Sequence, residues 1–203
     1  MTGGFNPVYV AVFKQEFNSR CMQLVINAYH SAISAKSITP VLEEEDITAV
    51  LSKFIDDNPV RLDWGIVNNT EDRLRNDKIT VAKGFAKKSA RIDLRFTTIN
   101  ASTEHRYYME AKNLKESDSA LKRRYIVTGI DNYVSTKYND GFLVGYLLEG
   151  NVMNNVDGLN KLLVKDNRNV EVINISPTQI SGYNYYVSDH TTIKIKHLFF
   201  DFN

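Results

Sequence analysis

The sequence predicts an α/β protein, a three-layer α/β/α arrangement around a central mixed β-sheet, with residues 1–203 forming one domain. Three observations carry this expectation. Residues 142–148 are an uninterrupted apolar run, the pattern of a strand covered on both faces. Two further strand-like runs, 90–98 and 105–113, are separated by a short polar break, as a hairpin requires. Helical periodicity brackets these runs, and a mixed sheet between helices is the natural packing of such an order.

Taken in order, residues 13–37 read as one long helix. Phe13, Phe17, Met22, Leu24, Val25, Ala28, Tyr29, Ala32 and Ile33 recur there at three- and four-residue spacing, and Pro40 marks the end. A second helix has Leu42, Ile47, Val50, Leu51, Phe54 and Ile55 as its apolar positions, and Asn58-Pro59 stops it. Residues 61–68, including Trp64, read as a strand. The stretch 69–90 is polar and basic, a loop with a strand edge around Lys78 to Val81. After the two strands, 121–138 is helical and Asn139-Asp140-Gly141 terminates it. Residues 152–164 are helix-like, 170–175 a strand, 176–189 loop, and 191–202 a final strand.

Apolar residues make up 43% of the chain, enough for a core. Cys21 is the single cysteine, so neither an internal disulfide nor a cysteine zinc site forms, which fits a reducing compartment. No run approaches the roughly 18–20 apolar residues of a membrane helix, and the N-terminus lacks the basic and apolar regions of a signal peptide. The expected location is the cytoplasm, with no membrane partner. Charge is unevenly distributed. Residues 1–72 carry 5 Lys and Arg against 10 Asp and Glu, residues 73–125 carry 14 against 6, and residues 126–203 carry 6 against 8. The basic excess surrounds the two strands, as a polyanion substrate would require; a solvated basic face gives the same pattern.

Each of those strands sets one acid among apolar residues: Asp93 in Arg91-Ile92-Asp93-Leu94-Arg95-Phe96, and Glu110 in Arg106-Tyr107-Tyr108-Met109-Glu110-Ala111-Lys112. Residues at i and i+2 of a strand share a face, so Glu110 and Lys112 point the same way. Pairing of the strands as a hairpin puts Asp93 beside Glu110. Two carboxylates and an ammonium on one face suit a divalent cation with a base or charge stabiliser beside it, equipment for cleaving phosphodiesters.

Asp93, sixteen intervening residues, and Glu110-Ala111-Lys112 resemble the core of the PD-(D/E)XK nuclease superfamily, the restriction-endonuclease-like fold. That core is a helix, a three-strand meander, a crossover helix and a further strand, matched here by residues of about 42–148, with helix 13–37 and region 150–203 as elaborations. Ile92 stands where the motif's name has proline. Residues 125–138 also resemble the Gly, Tyr and Lys-Tyr spacing of some restriction- and defence-associated members. The resemblance implies a Mg²⁺-dependent DNA endonuclease, with Mn²⁺ able to substitute, acting in restriction or anti-phage defence. It implies Asp93, Glu110 and the Ala111 carbonyl as metal ligands. Lys112 then orients or deprotonates water, or stabilises transition-state charge.

The helix before the meander commonly adds an acid in that family. Glu43 and Glu44 project with the face that meets the sheet, and Glu45 projects toward solvent. Glu44 is the favoured outer ligand, with Glu43 next. Acids in a first helical turn also simply complement the dipole. Arg91 and Arg95 share a face with Asp93, and Lys122, Arg123, Arg124 and Lys137 lie on the crossover helix; all six are candidate nucleic-acid contacts. Tyr183, Tyr185 and Tyr186 are candidates for stacking bases from a loop, with ordinary packing the alternative. No recognition domain is evident, so specificity is expected from loops, a homodimer or a partner protein. The competing expectations are a non-cleaving nucleic-acid-binding or assembly module, and a nuclease for RNA or branched DNA.

Overall fold

The computed structural model describes residues 7–73, 91–100 and 103–203, without the side chains of residues 71–73, 91 and 92. The expected strand edge near Lys78 to Val81 lies outside them. The chain opens with α1 (Pro7–Ser34), followed by α2 (Glu44–Asp56), a single turn α3 (Val60–Asp63), and strands β1 (Val67–Arg73), β2 (Arg91–Asn100) and β3 (Thr103–Lys115). A crossover helix comes next: α4 (Ser119–Arg124), a π-helical turn (Tyr125–Ile130) and α5 (Asp131–Val134) in direct succession. Then come β4 (Gly141–Glu149), α6 (Val152–Lys165), a 3₁₀ turn (Asn169–Glu171), β5 (Asn174–Ile180), β6 (Tyr183–His190) and β7 (Ile193–Asp201). Among the described residues no helix is long and apolar enough to cross a membrane.

The strands form one seven-stranded mixed sheet in the order β1-β2-β3-β4-β7-β6-β5. β3, β4 and β7 are mutually parallel at its centre, and the outer pairings are antiparallel. β4 is buried along Gly141 to Leu148, as its unbroken apolar run requires. Its alternate residues feed two cores. Phe142, Val144 and Tyr146 pack with α1 and α2 residues such as Leu24, Ile47 and Leu51 on one face. Leu143 and Leu147 pack with Tyr125, Ile126, Ile130, Leu159 and Leu163 on the other. Helices therefore cover both faces of the sheet, the three-layer α/β arrangement expected.

Three stretches differ from the sequence expectation. α1 begins at Pro7, well before residue 13. Val8, Tyr9 and Val12 are exposed there, so no buried stripe announces the first turns, whereas proline suits a first helical position. Trp64 ends the helical turn α3 rather than sitting in a strand. The Asn58 side chain accepts the Val60 N–H (3.1 Å) to start that turn, and Gly65, at φ +60°, ends it. Residues 176–189 are the hairpin β5–β6, closed by Ser181 and Gly182, both at positive φ, as the mirror-image turns of tight hairpins demand. Tyr183, Tyr185 and Tyr186 accordingly belong to a strand. Tyr183 packs edge-on against Phe200, and Tyr186 edge-on against Phe199.

Candidate active site

The ladder between β2 and β3 runs from Asn100↔Thr103 to Leu94↔Met109 and stops. β2 continues alongside β1 to Arg73↔Arg91, while β3 continues alongside β4 to Lys115. The two strands thus fork, and the edge of β3 beyond Met109 loses its backbone partner. A strand edge with unpaired N–H groups needs acceptors. Two carboxylates supply them. Asp93 Oδ2 accepts the Ala111 N–H at 2.6 Å, and Glu44 Oε2 accepts the Asn113 N–H at 2.9 Å. The fork brings the acid of β2, the acid and lysine of β3 and the first residue of α2 to one place.

At its centre stands the Lys112 ammonium, only 4% exposed. It donates to Glu110 Oε1 (2.7 Å), the Ala111 carbonyl (2.5 Å) and Glu44 Oε1 (3.1 Å). The contact with Glu110 follows from the strand period, which sets i and i+2 side by side. Burial works against this charge, but Glu110, Glu44 and Asp93 outweigh it and hold the Lys112 pKa above its ordinary value. Lys112 is therefore a cation here. Asp93 is affected oppositely. Burial, then the neighbouring Glu110 charge, pushes its carboxyl up to about 7, although Lys112 and the Ala111 N–H pull it down. A buried acid that resists ionisation beside a second carboxylate, with a cation drawn among them, marks a candidate functional site.

No family profile, no characterised protein and no solved structure matches this chain. The groups around Lys112 Nζ are all oxygens: two carboxylates and a main-chain carbonyl, with a third carboxylate alongside. That donor set suits a hard cation such as Mg²⁺. Among the described residues, no three His, Cys, Asp or Glu side chains are gathered closely enough to ligate one ion as they stand. Glu44 and Glu110 meet through the lysine instead.

Several side chains support the site. Tyr138 donates its hydroxyl to Glu110 Oε2 (2.9 Å), so both oxygens of Glu110 are held. In the sequence Tyr138 reads as an apolar helix position and as the tyrosine of the Lys-Tyr pair in the resemblance, with no contact to Glu110 foreseen; it lies in the turn after α5, where the chain comes back to the sheet. Tyr133 is buried and donates to the Phe142 carbonyl (2.8 Å), fixing the crossover helix against β4. Thr48, one turn into α2, sits 3.0 Å from the Tyr146 hydroxyl and anchors the helix that carries Glu44.

The six candidate nucleic-acid residues separate. Arg124 reaches Glu44 Oε1 (3.0 Å) with half its side chain exposed, so it borders the site. Lys122 is buried, packed against Gly158, and donates to the Glu116 carbonyl, so it offers no surface to a phosphate and is corrected to a packing residue. Arg123 pairs with Asp166, the residue just past the end of α6. Lys137 lies over the Tyr138 ring at 5.1 Å. Arg95 is half-buried opposite Tyr108. The Arg91 side chain is outside the described residues. Of the first-turn acids, Glu44 alone makes a hydrogen bond or ion pair to β3; Glu43 and Glu45 are exposed, and Asp46 accepts the Glu43 N–H.

Proposed function

We propose that the protein is a metal-dependent phosphodiesterase of the PD-(D/E)XK type that cleaves DNA internally. One observation carries this reading: a buried ammonium held by Glu110, the Ala111 carbonyl and Glu44, with Asp93 on the neighbouring Ala111 N–H, at the fork of two strands. Clustered acids with an engaged lysine destabilise a fold more readily than they support it, so their convergence calls for a chemical role.

Asp93, Glu110, the Ala111 carbonyl and Glu44 are the groups that would hold Mg²⁺ or Mn²⁺. When bound, such a cation supplies charge neutralisation at the phosphate and a nucleophilic water. The protein's own residues do the rest. Tyr138 keeps Glu110 from rotating away, and the Ala111 N–H does the same for Asp93. Lys112, kept protonated, offers its charge to the phosphate oxygens as negative charge grows on them, so charge stabilisation is favoured over proton abstraction as its role. Arg124, at the rim, presents a guanidinium suited to a phosphate. Hydrolysis adds water across one P–O bond and leaves a phosphate monoester and a hydroxyl.

The test is incubation of the protein with supercoiled plasmid and Mg²⁺ or Mn²⁺. Nicking by the wild type that disappears in Asp93→Ala and Glu110→Ala supports the reading; nicking that survives both substitutions overturns it. A second reading has a specific observation behind it. Lys112 seals the carboxylates in an ion network, as a non-cleaving nucleic-acid-binding or assembly module would allow. DNA binding indifferent to divalent cations, with no cleavage, favours that module. An association with restriction or anti-phage defence rests on the resemblance alone; a homodimer or a specificity partner belongs to the same reading because two cuts on a duplex need two sites.

A further inference from the structure

Beside the site lies a cleft of about 520 Å³ between the loop before α2, the ends of β3 and β4, and α4. Its size falls within the roughly 300–1,000 Å³ of sites that enclose a small organic group. Leu42, Leu121 and Leu148 form apolar walls, and Lys115 and Arg124 bring cations to it. Asn113, next to Lys112 on β3, lines it as well, and its Oδ1 is buried with no hydrogen-bond partner among the described residues. Lys115 makes no ion pair among the described residues. Arg124 and Lys112 share one oxygen of Glu44, so the cleft opens directly onto the candidate site.

We propose that this cleft receives an unpaired nucleotide of the substrate strand, next to the phosphate that is cut. The proposal rests on the nuclease reading and names its substrate class. Leucine walls suit the flat face of a base, and Lys115 with Arg124 suits the flanking phosphate. Glu43, Glu44 and Glu45 also line the cleft; carboxylates repel phosphate and accept from base amines. A base inside a continuous duplex is stacked on both faces and paired at its edge, and extruding it costs a few kcal/mol. The substrate strand is therefore single-stranded, or unpaired at a frayed end or flap, where that cost is already met.

The experiment measures binding by fluorescence anisotropy in EDTA, where no metal-dependent cleavage interferes. Three oligonucleotide probes of one sequence are compared: a single strand, a blunt duplex, and the duplex with an unpaired flap. The expected result is at least tenfold tighter binding of the single strand and the flap than of the duplex. Leu121→Trp, which fills the cleft, and Lys115→Ala, which removes its unpaired cation, should each reduce that preference to under threefold while thermal melting shows the fold retained. Equal binding of all three probes, or a preference that both variants keep, overturns the proposal. Preference for the single strand without the flap restricts the source to free strands, and equal preference for both assigns either source. Should the preference stand while plasmid and single-strand cleavage are both absent with Mn²⁺, the cleft is upheld and the catalytic reading fails; cleavage of intact duplex without any preference has the reverse meaning.

Discussion

Asp93 stands in for a backbone carbonyl: its Oδ2 accepts the Ala111 N–H at 2.6 Å where β2 has already turned away from β3. The acid thereby does two jobs with conflicting demands. As an acceptor on a strand edge it stabilises the fold, and as a buried carboxylate beside Glu110 it resists ionisation.

That conflict gives Asp93 a definite pH signature. Its carboxyl is raised from the ordinary 3.8 to about 7, so the folded protein holds a proton between those values that the unfolded chain releases. This contribution is fully present below about pH 4 and is lost as pH rises through about 7. Asp93→Asn keeps an acceptor for the Ala111 N–H and removes the charge. It should leave stability near pH 4 almost unchanged and raise it at pH 8 by about 1–3 kcal/mol, or roughly 2–12 °C in Tm. Asp93→Ala lacks the acceptor and at pH 4 should cost about 1–3 kcal/mol. Melting curves of the three proteins in EDTA at both pH values check this.

Lys112→Met tests whether the ammonium occupies the place of a cation. The substitution leaves Glu44 and Glu110 buried without their shared charge, which should cost about 3–5 kcal/mol in EDTA. Millimolar Mn²⁺ should then raise the Tm of Lys112→Met by more than it raises that of the wild type, because the variant has no internal cation to displace. Equal shifts in both proteins contradict the assignment.

Tyr138→Phe removes a single hydroxyl from Glu110 Oε2. The expected loss of stability is about 1 kcal/mol. Cleavage should fall roughly tenfold at saturating metal, with a higher Mn²⁺ requirement, since a mispositioned ligand weakens metal binding by about 10–100-fold. A metal titration of the cleavage rate separates this from a general loss of folding.

Away from the site, His197 is fully buried in a chain of hydrogen bonds. Its Nδ1 lies 2.9 Å from the Tyr125 hydroxyl and its Nε2 2.8 Å from Ser188 Oγ, which in turn lies 2.8 Å from His190 Nε2. Burial, then the adjacent His190, pushes His197 down to about 3. The unfolded chain therefore takes up a proton below pH 6.5 that the folded chain refuses until about pH 3, and stability falls as pH drops through that window. His197→Gln should flatten the loss by about 1.4 kcal/mol per pH unit between pH 6 and 4, measured by urea unfolding of both proteins.

How much of this was legible in the sequence differs by residue. Glu110 and Lys112 on one face follow from strand periodicity alone, and the hairpin places Asp93 beside them. The fork does not follow: nothing in Ile92-Asp93-Leu94 announces that the ladder ends there, because strand divergence is set by what β1 and α2 pack against. Glu44 was separable from Glu45 by helical phase, since Ile47 and Leu51 point to the sheet. Lys122 misled because a charged run looks solvated, and only tertiary packing against Gly158 buries it. Tyr183, Tyr185 and Tyr186 looked like loop because Ser176, Pro177 and Gly182 surround them, although Ser181-Gly182 is itself the signal of a tight hairpin.

The most direct measurement is the anomalous scattering of Mn²⁺ in crystals of the wild-type protein soaked at millimolar concentration. The account predicts one peak within about 2–2.6 Å of oxygens from Glu110, Asp93 and the Ala111 carbonyl, with the Lys112 ammonium moved out of its present position. Full-occupancy metal elsewhere, or an unchanged Lys112 still bonded to Glu110 and Glu44 at saturating Mn²⁺, would contradict it.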